Sequence, residues 1–166
     1  ELTYSVVIPL GTKGPREMYR FINEGLLRGL EFLGIHAELT GKDDAFSTLY
    51  KNPASVPCFA ASAKSEIKYE GKKLVGSAQR RYGNIILQHG SLLLGPEHLR
   101  ISSFLAPHIL DYRHSIEESL LQNTIDVQAI LGKPVTYEEA ASAVKKGFEG
   151  ALGITFEIDH NMSEIV

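Results

Sequence analysis

Two side chains in this sequence have the chemistry to form a covalent intermediate and stabilise it. Cys58 is the single cysteine. It lies in residues 41–62, a long stretch rich in Pro, Ser, Asp and Asn, and loops of this kind carry functional groups disproportionately often. A lone cysteine is more often a small buried hydrophobe than a nucleophile, and it is the loop setting that favours the functional reading. A thiolate is favoured by a nearby cation, and Lys73, 15 residues on, is a candidate for that cation. Gly76-Ser77-Ala78 follows it. Three small residues inside a strand pattern weaken the strand, and they invite close approach of a ligand or of another backbone, or mark a bulge. Gln88-His89-Gly90-Ser91 repeats the theme ahead of Leu92-Leu93-Leu94. Two adjacent strands with small and polar groups suit a groove for a slim ligand with a polar head.

Other chemistries find little support. His36, His89, His98, His108, His114 and His160 are scattered. Only His108, Asp111 and His114 are close, and positions i and i+6 of a helix diverge, so no metal site is expected. Gly71 and Gly76 have the spacing of a phosphate loop, but Ser77 stands where the lysine should be, and the segment reads as strand. No G-x-G-x-x-G fingerprint occurs. Net charge is −3 and the isoelectric point about 6.1, which argues against a nucleic-acid partner. No apolar run approaches the roughly 18 residues of a membrane span, and the first residues do not read as a secretory signal. A cytoplasmic location is the default expectation. One cysteine allows no disulfide framework, so a single domain spanning 1–166 must rely on its core.

The elements that position these groups are legible. Leu2 to Ile8 is β-branched and aromatic, ends at Pro9, and reads as a strand buried on both sides. Pro15 to Leu33 reads as a helix stopped by Gly34, with Met18, Ile22, Leu26, Leu30 and Leu33 on one face. Gly25 and Gly29 sit four residues apart, a spacing that lets another backbone come close. Ser65 to Tyr69, Leu74 to Arg80 and Asn84 to Leu94 read as an antiparallel meander with turns at Glu70-Gly71 and Tyr82-Gly83-Asn84. Helices follow at Pro96 to Phe104, Ser115 to Leu121 and Ile125 to Leu131. A longer one begins at Thr136, whose capping box is completed by Glu139, and Gly153 stops it. Ile154 to Ile158 reads as a strand or extended tail. This order predicts an α+β domain, a mixed and largely antiparallel sheet packed by helices.

The run Gly71-Lys72-Lys73-Leu74-Val75-Gly76-Ser77-Ala78-Gln79-Arg80, followed by Leu87-Gln88-His89-Gly90-Ser91-Leu92-Leu93, resembles the lipoate–protein ligase A and octanoyltransferase family, which shares a catalytic fold with biotin protein ligases. Leu2-Thr3-Tyr4-Ser5 and Gly147-Phe148-Glu149 extend the resemblance over most of the chain. It implies that Lys73 contacts the acyl carbonyl. It also implies that Gly76, Ser77, Ala78 and Gln79, with His89, Gly90 and Ser91, line the acyl pocket. Cys58-Phe59 resembles the branch that uses a cysteine nucleophile, including its separation from the lysine. The implied activity is octanoyl transfer, without a cofactor, from octanoyl-acyl carrier protein to a lipoyl-domain protein such as glycine cleavage H protein. The alternatives are an ATP- and Mg-dependent lipoate–protein ligase and a non-catalytic acyl- or lipoyl-domain-binding protein. In the family, a segment with paired arginines and a glycine run precedes the strand matched here by Leu2. The expectation is therefore the C-terminal part of a catalytic domain, with a sheet edge or an apolar groove exposed at Leu2 to Ile8.

Overall fold

The computed structural model describes residues 1–40 and 66–157. Cys58, Phe59, the stretch 41–62, Ser65, Ile158 and His160 lie outside the described residues. One sheet forms the centre. Its strands are β1 (Leu2–Pro9), β2 (Glu38–Leu39), β3 (Ile67–Tyr69), β4 (Lys72–Tyr82) and β5 (Ile85–Leu92), in the spatial order β1-β5-β4-β3-β2 with every neighbour antiparallel. The meander β3-β4-β5 follows the sequence pattern. The turn Glu70-Gly71 takes positive φ at both residues, 49° and 78°, as a two-residue hairpin turn of type I′ requires. The strand β2, only two residues long, has no counterpart in the sequence pattern.

β1 lies at the sheet edge beside β5. It is not buried on both faces as its run of Val6, Val7 and Ile8 suggests. Leu2, Tyr4, Val6 and Ile8 face the packed side, while Thr3, Ser5 and Val7 are exposed, Val7 by 69%. The strand follows period 2, and among the described residues helices pack on one of its sides.

Helix α1 (Pro15–Phe32) starts with Pro15 at its first position and gives way to Gly34, whose φ is +82°. Its Met18, Ile22, Leu26 and Leu30 enter the core with Ile67, Val75, Ile86 and Leu92 of the sheet. The last helix, α4 (Tyr137–Leu152), has the expected capping box. Thr136 Oγ1 accepts from Glu139 N at 3.2 Å, and the Glu139 carboxylate accepts from Thr136 N at 2.8 Å. Gly25 and Gly29 do serve a close approach, and the partner is α4. A Cβ on Gly29 would stand 2.8 Å from Val144 Cα, and one on Gly147 would strike the α1 backbone at Gly25 and Gly29.

Between sheet and α4 come two 3₁₀ segments (Pro96–Phe104 and Pro107–Tyr112), α2 (Arg113–Asn123) and α3 (Val127–Leu131). The short helix expected at Pro96 to Phe104 forms there as 3₁₀. Ser102 Oγ bonds back to the Leu99 carbonyl, three residues earlier, and to Glu117 Oε1 at 2.9 Å, a local competitor of α-helical pairing. His108 and Asp111 fall in the second 3₁₀ segment and His114 is the second residue of α2. Residues 154–157 form no regular element. No helix among the described residues is long and apolar enough to cross a membrane.

Candidate functional site

Cross-strand pairing sorts the candidate residues into rows. Thr3, Ser91 and Gly76 stand side by side across β1, β5 and β4; so do Tyr4, Gly90 and Ser77; so do Ser5, His89 and Ala78; and so do Val6, Gln88 and Gln79. Neighbouring rows point to opposite faces. Gly76, Ala78, His89 and Ser91 therefore share the open face with Thr3 and Ser5. Ser77, Gln79 and Gly90 lie on the helix-packed face.

On the packed face these residues form a polar network beneath the open face. The Tyr4 hydroxyl accepts from Gln88 Nε2 at 3.0 Å and shares a hydrogen bond with Ser77 Oγ at 2.6 Å. Gln88, fully buried, also donates to Asn23 Oδ1 at 3.3 Å, and the Gln79 and Gln88 amides meet at 3.2 Å. Burial pushes the Tyr4 phenol above its ordinary pKa, against the opposing pull of its bonds to Gln88 and Ser77. The hydroxyl is thus neutral at physiological pH. Gly90 makes the row possible, because the Tyr4 ring must pass over it to reach Ser77. A Cβ on residue 90 would meet Tyr4 Cε1 at 2.8 Å, Ser77 Cα at 3.0 Å and the Gly76 carbonyl oxygen. Gly90→Ala is expected to part the strands and break the Tyr4–Ser77 bond at a cost of about 2 kcal/mol. Thermal unfolding checks it, as a fall in Tm of roughly 4–8 °C.

Lys73 reaches the open face through an irregularity. The register shifts within the β3–β4 hairpin: Lys68 faces Lys73, yet Ile67 faces Val75, so Leu74 is an extra residue. Simple alternation from Val75 would turn Lys73 toward the packed side. The bulge reverses the parity below Val75, and Lys73 joins the face of Gly76 and Ala78. At about 3.3 Å per residue, Gly76 lies roughly 10 Å along the strand from Lys73. The Lys73 carbonyl accepts from Ile125 N at 3.0 Å. The adjoining Thr124 forms a parallel bridge with Lys73 and holds His98 Nε2 at 2.8 Å. The Lys73 ammonium meets Glu66 Oε1 at 2.6 Å, with side chains 6% and 1% exposed.

Glu66 escapes a reading by residue type, as do Tyr4, Asn23 and Gln88 as members of one network. A signal for Glu66 exists in the sequence. A two-residue turn at Glu70-Gly71 sets Lys68 opposite Lys73, and Glu66, two residues before Lys68, is then a diagonal neighbour on the same face. Among the described residues, no three His, Cys, Asp or Glu side chains converge as a metal site would need.

The open face thus offers a shallow floor of small side chains, with a buried ammonium near one end. Such a surface can seat an extended apolar chain and offer its polar head a cation.

Residues 1–149 match the lipoyl protein ligase A/B catalytic domain. The chain is similar to octanoyltransferase LipM of Kyrpidia tusciae, 39% identical over 165 residues, and of Geobacillus kaustophilus, 36% identical over 163 residues. Each alignment covers 95% of this chain and 59% or 58% of the relative, so the chain spans less than two thirds of their length. Among solved structures, it resembles a bi-partite lipoate protein ligase from Thermoplasma acidophilum, with TM-score 0.69 and 22% identity over 95% of this chain and 53% of that one. It also resembles lipoate-protein ligase A bound with ATP, with TM-score 0.64 and 23% identity over 95% and 54%. At these identities the structural likeness concerns the fold.

Proposed function

Given that the chain belongs to the lipoyl protein ligase A/B catalytic-domain family, we propose that it carries the catalytic centre of an octanoyltransferase. The observation that carries this reading is the placement of Lys73, turned by the bulge onto the face of Gly76, Ala78, His89 and Ser91. The similarity to octanoyltransferases supports the choice of acyl group. In the proposed cycle, the Cys58 thiolate attacks the thioester carbonyl of octanoyl-acyl carrier protein. The C–S bond to the carrier breaks, and the carrier leaves as a thiolate that takes a proton from water. The neutral amine of a lipoyl-domain lysine, as in glycine cleavage H protein, then attacks the Cys58 thioester. An amide forms, the amine passes its proton to water, and the Cys58 thiolate returns. The Lys73 ammonium stabilises the oxyanion in both steps. Gly76, Ala78, His89 and Ser91 form the acyl floor on this reading, and Ser77, Gln79 and Gly90 support it from beneath. The cycle uses no cofactor.

The test incubates the full-length protein with octanoyl-acyl carrier protein and a lipoyl domain, with and without ATP and Mg, and reads the domain by intact mass. The expected result is octanoyl transfer without ATP and a transient octanoyl adduct on Cys58. Modification from free acid that requires ATP would replace this reading with that of a ligase. Binding of octanoyl ligands or lipoyl domains without turnover would replace it with that of a non-catalytic binding protein.

A further inference from the structure

We infer that Glu66 is a positioning residue for Lys73, fixing the direction in which its ammonium meets the reacting carbonyl; the inference rests on the transfer reading above. Glu66 is itself held in place. Its carbonyl accepts from Thr40 N at 2.9 Å and from Thr40 Oγ1 at 3.1 Å, beside the short strand β2. Its carboxylate meets the Lys73 ammonium at 2.6 Å, and both side chains are almost fully buried.

Stability alone does not explain such a pair. Taking two charges out of water costs as much as their attraction returns, and well-packed apolar residues serve a core equally well. A buried carboxylate beside a buried ammonium does two things that apolar residues cannot. It supplies the counter-charge that lets a cation persist away from water, and it engages one of the three ammonium donors and so sets the directions of the other two. The Lys73 backbone is fixed independently through Ile125 and the hairpin. Glu66 therefore governs the flexible end of the side chain, where misplacement by about 1 Å can cost roughly 10²-fold in rate. Glu66 acts through Lys73 and not on the substrate.

The test compares Glu66→Gln and Glu66→Asp with the unaltered full-length protein. Steady-state transfer gives the first readout. Glu66→Gln is expected to lower kcat by roughly 10- to 100-fold with KM for the acyl carrier little changed, and Glu66→Asp, which keeps the charge, to recover part of the loss. The second readout needs no turnover. Pulse acetylation read by peptide mass spectrometry is expected to find Lys73 protected in the unaltered protein and several-fold more reactive in Glu66→Gln, with Lys72 unchanged. Unaltered kcat in Glu66→Gln, or a loss matching the unfolded fraction seen by circular dichroism, would overturn the inference. So would Lys73 equally protected in both proteins. Failure of the unaltered protein to transfer octanoate would instead sink the transfer reading, while the acetylation result would still decide whether Glu66 holds Lys73.

Discussion

Cys58→Ala is expected to abolish the octanoyl adduct and all transfer through it, and Lys73→Ala to lower kcat by roughly 10²–10³-fold, the usual cost of one lost oxyanion donor. The two losses have different physical origins and separate in one experiment. Without Cys58 there is no bond for the acyl group to enter. Without Lys73 the thioester can still form, so adduct accumulates slowly and turns over slowly. Quenched-flow sampling with intact-mass detection reads both. Lys73→Ala also withdraws the ammonium that lies 2.6 Å from the Glu66 carboxylate. Breaking a buried pair from one side costs about 3–5 kcal/mol, so lost activity in this variant could reflect lost fold. Lys73→Met combined with Glu66→Gln removes both charges. Chemical denaturation is expected to return the double variant close to the unaltered stability, while kcat stays low. Recovery of activity along with stability would contradict the catalytic role of Lys73.

The second large effect concerns the helix pair. Gly147→Ala is expected to destabilise the domain by about 3 kcal/mol, at the upper end of overpacking costs. The added Cβ would lie 2.6 Å from Gly29 Cα and closer still to Gly29 N and Gly25 O. These are backbone atoms of α1, so no side-chain rotation relieves the contact and the helices must part. At Gly25 the obstacle is instead the ring of Phe148, which has some freedom to move. An internal control lies one turn along α4. Gly150 is exposed and has no atom within 4 Å of its would-be Cβ. Gly150→Ala is expected to gain about 1 kcal/mol, the helix-propensity difference between the two residues. Thermal unfolding of both variants reads the contrast as opposite shifts in Tm.

The helices and turns were legible because their signals are local. Pro15, Gly34, the Thr136–Glu139 box and Gly153 mark ends whose hydrogen bonds close within a few residues, and the meander follows from Gly71 and Gly83. Gly25 and Gly29 announced a close approach but not its partner, because Gly147 is more than a hundred residues away. The two-sided burial expected for β1 failed for a related reason. A run of Val6, Val7 and Ile8 shows apolar character, while burial depends on what the rest of the chain lays over each face. The site was legible in composition and not in orientation. Gly76, Ser77 and Ala78 read as one lining, yet alternation divides them between two faces. Lys73 reaches its face through an extra residue at Leu74, and nothing in the local sequence marks a bulge there.

The pairing of α1 with α4 also bears on how the chain acquires its fold during synthesis. The first helix is complete at Phe32, but the surface that covers its glycines begins at Tyr137. At about 5–20 residues per second, the ribosome needs roughly 5–20 s to deliver that surface. β1 waits roughly 4–15 s for β5 on the same scale. Until the sheet strands are made, Ile22, Leu26 and Leu30 present an apolar stripe with no native partner, the condition under which nascent chains aggregate or engage chaperones, and the glycine face of α1 stays uncovered through the whole interval. The close helix contact that anchors the finished domain is thus among the last parts of residues 1–152 to form.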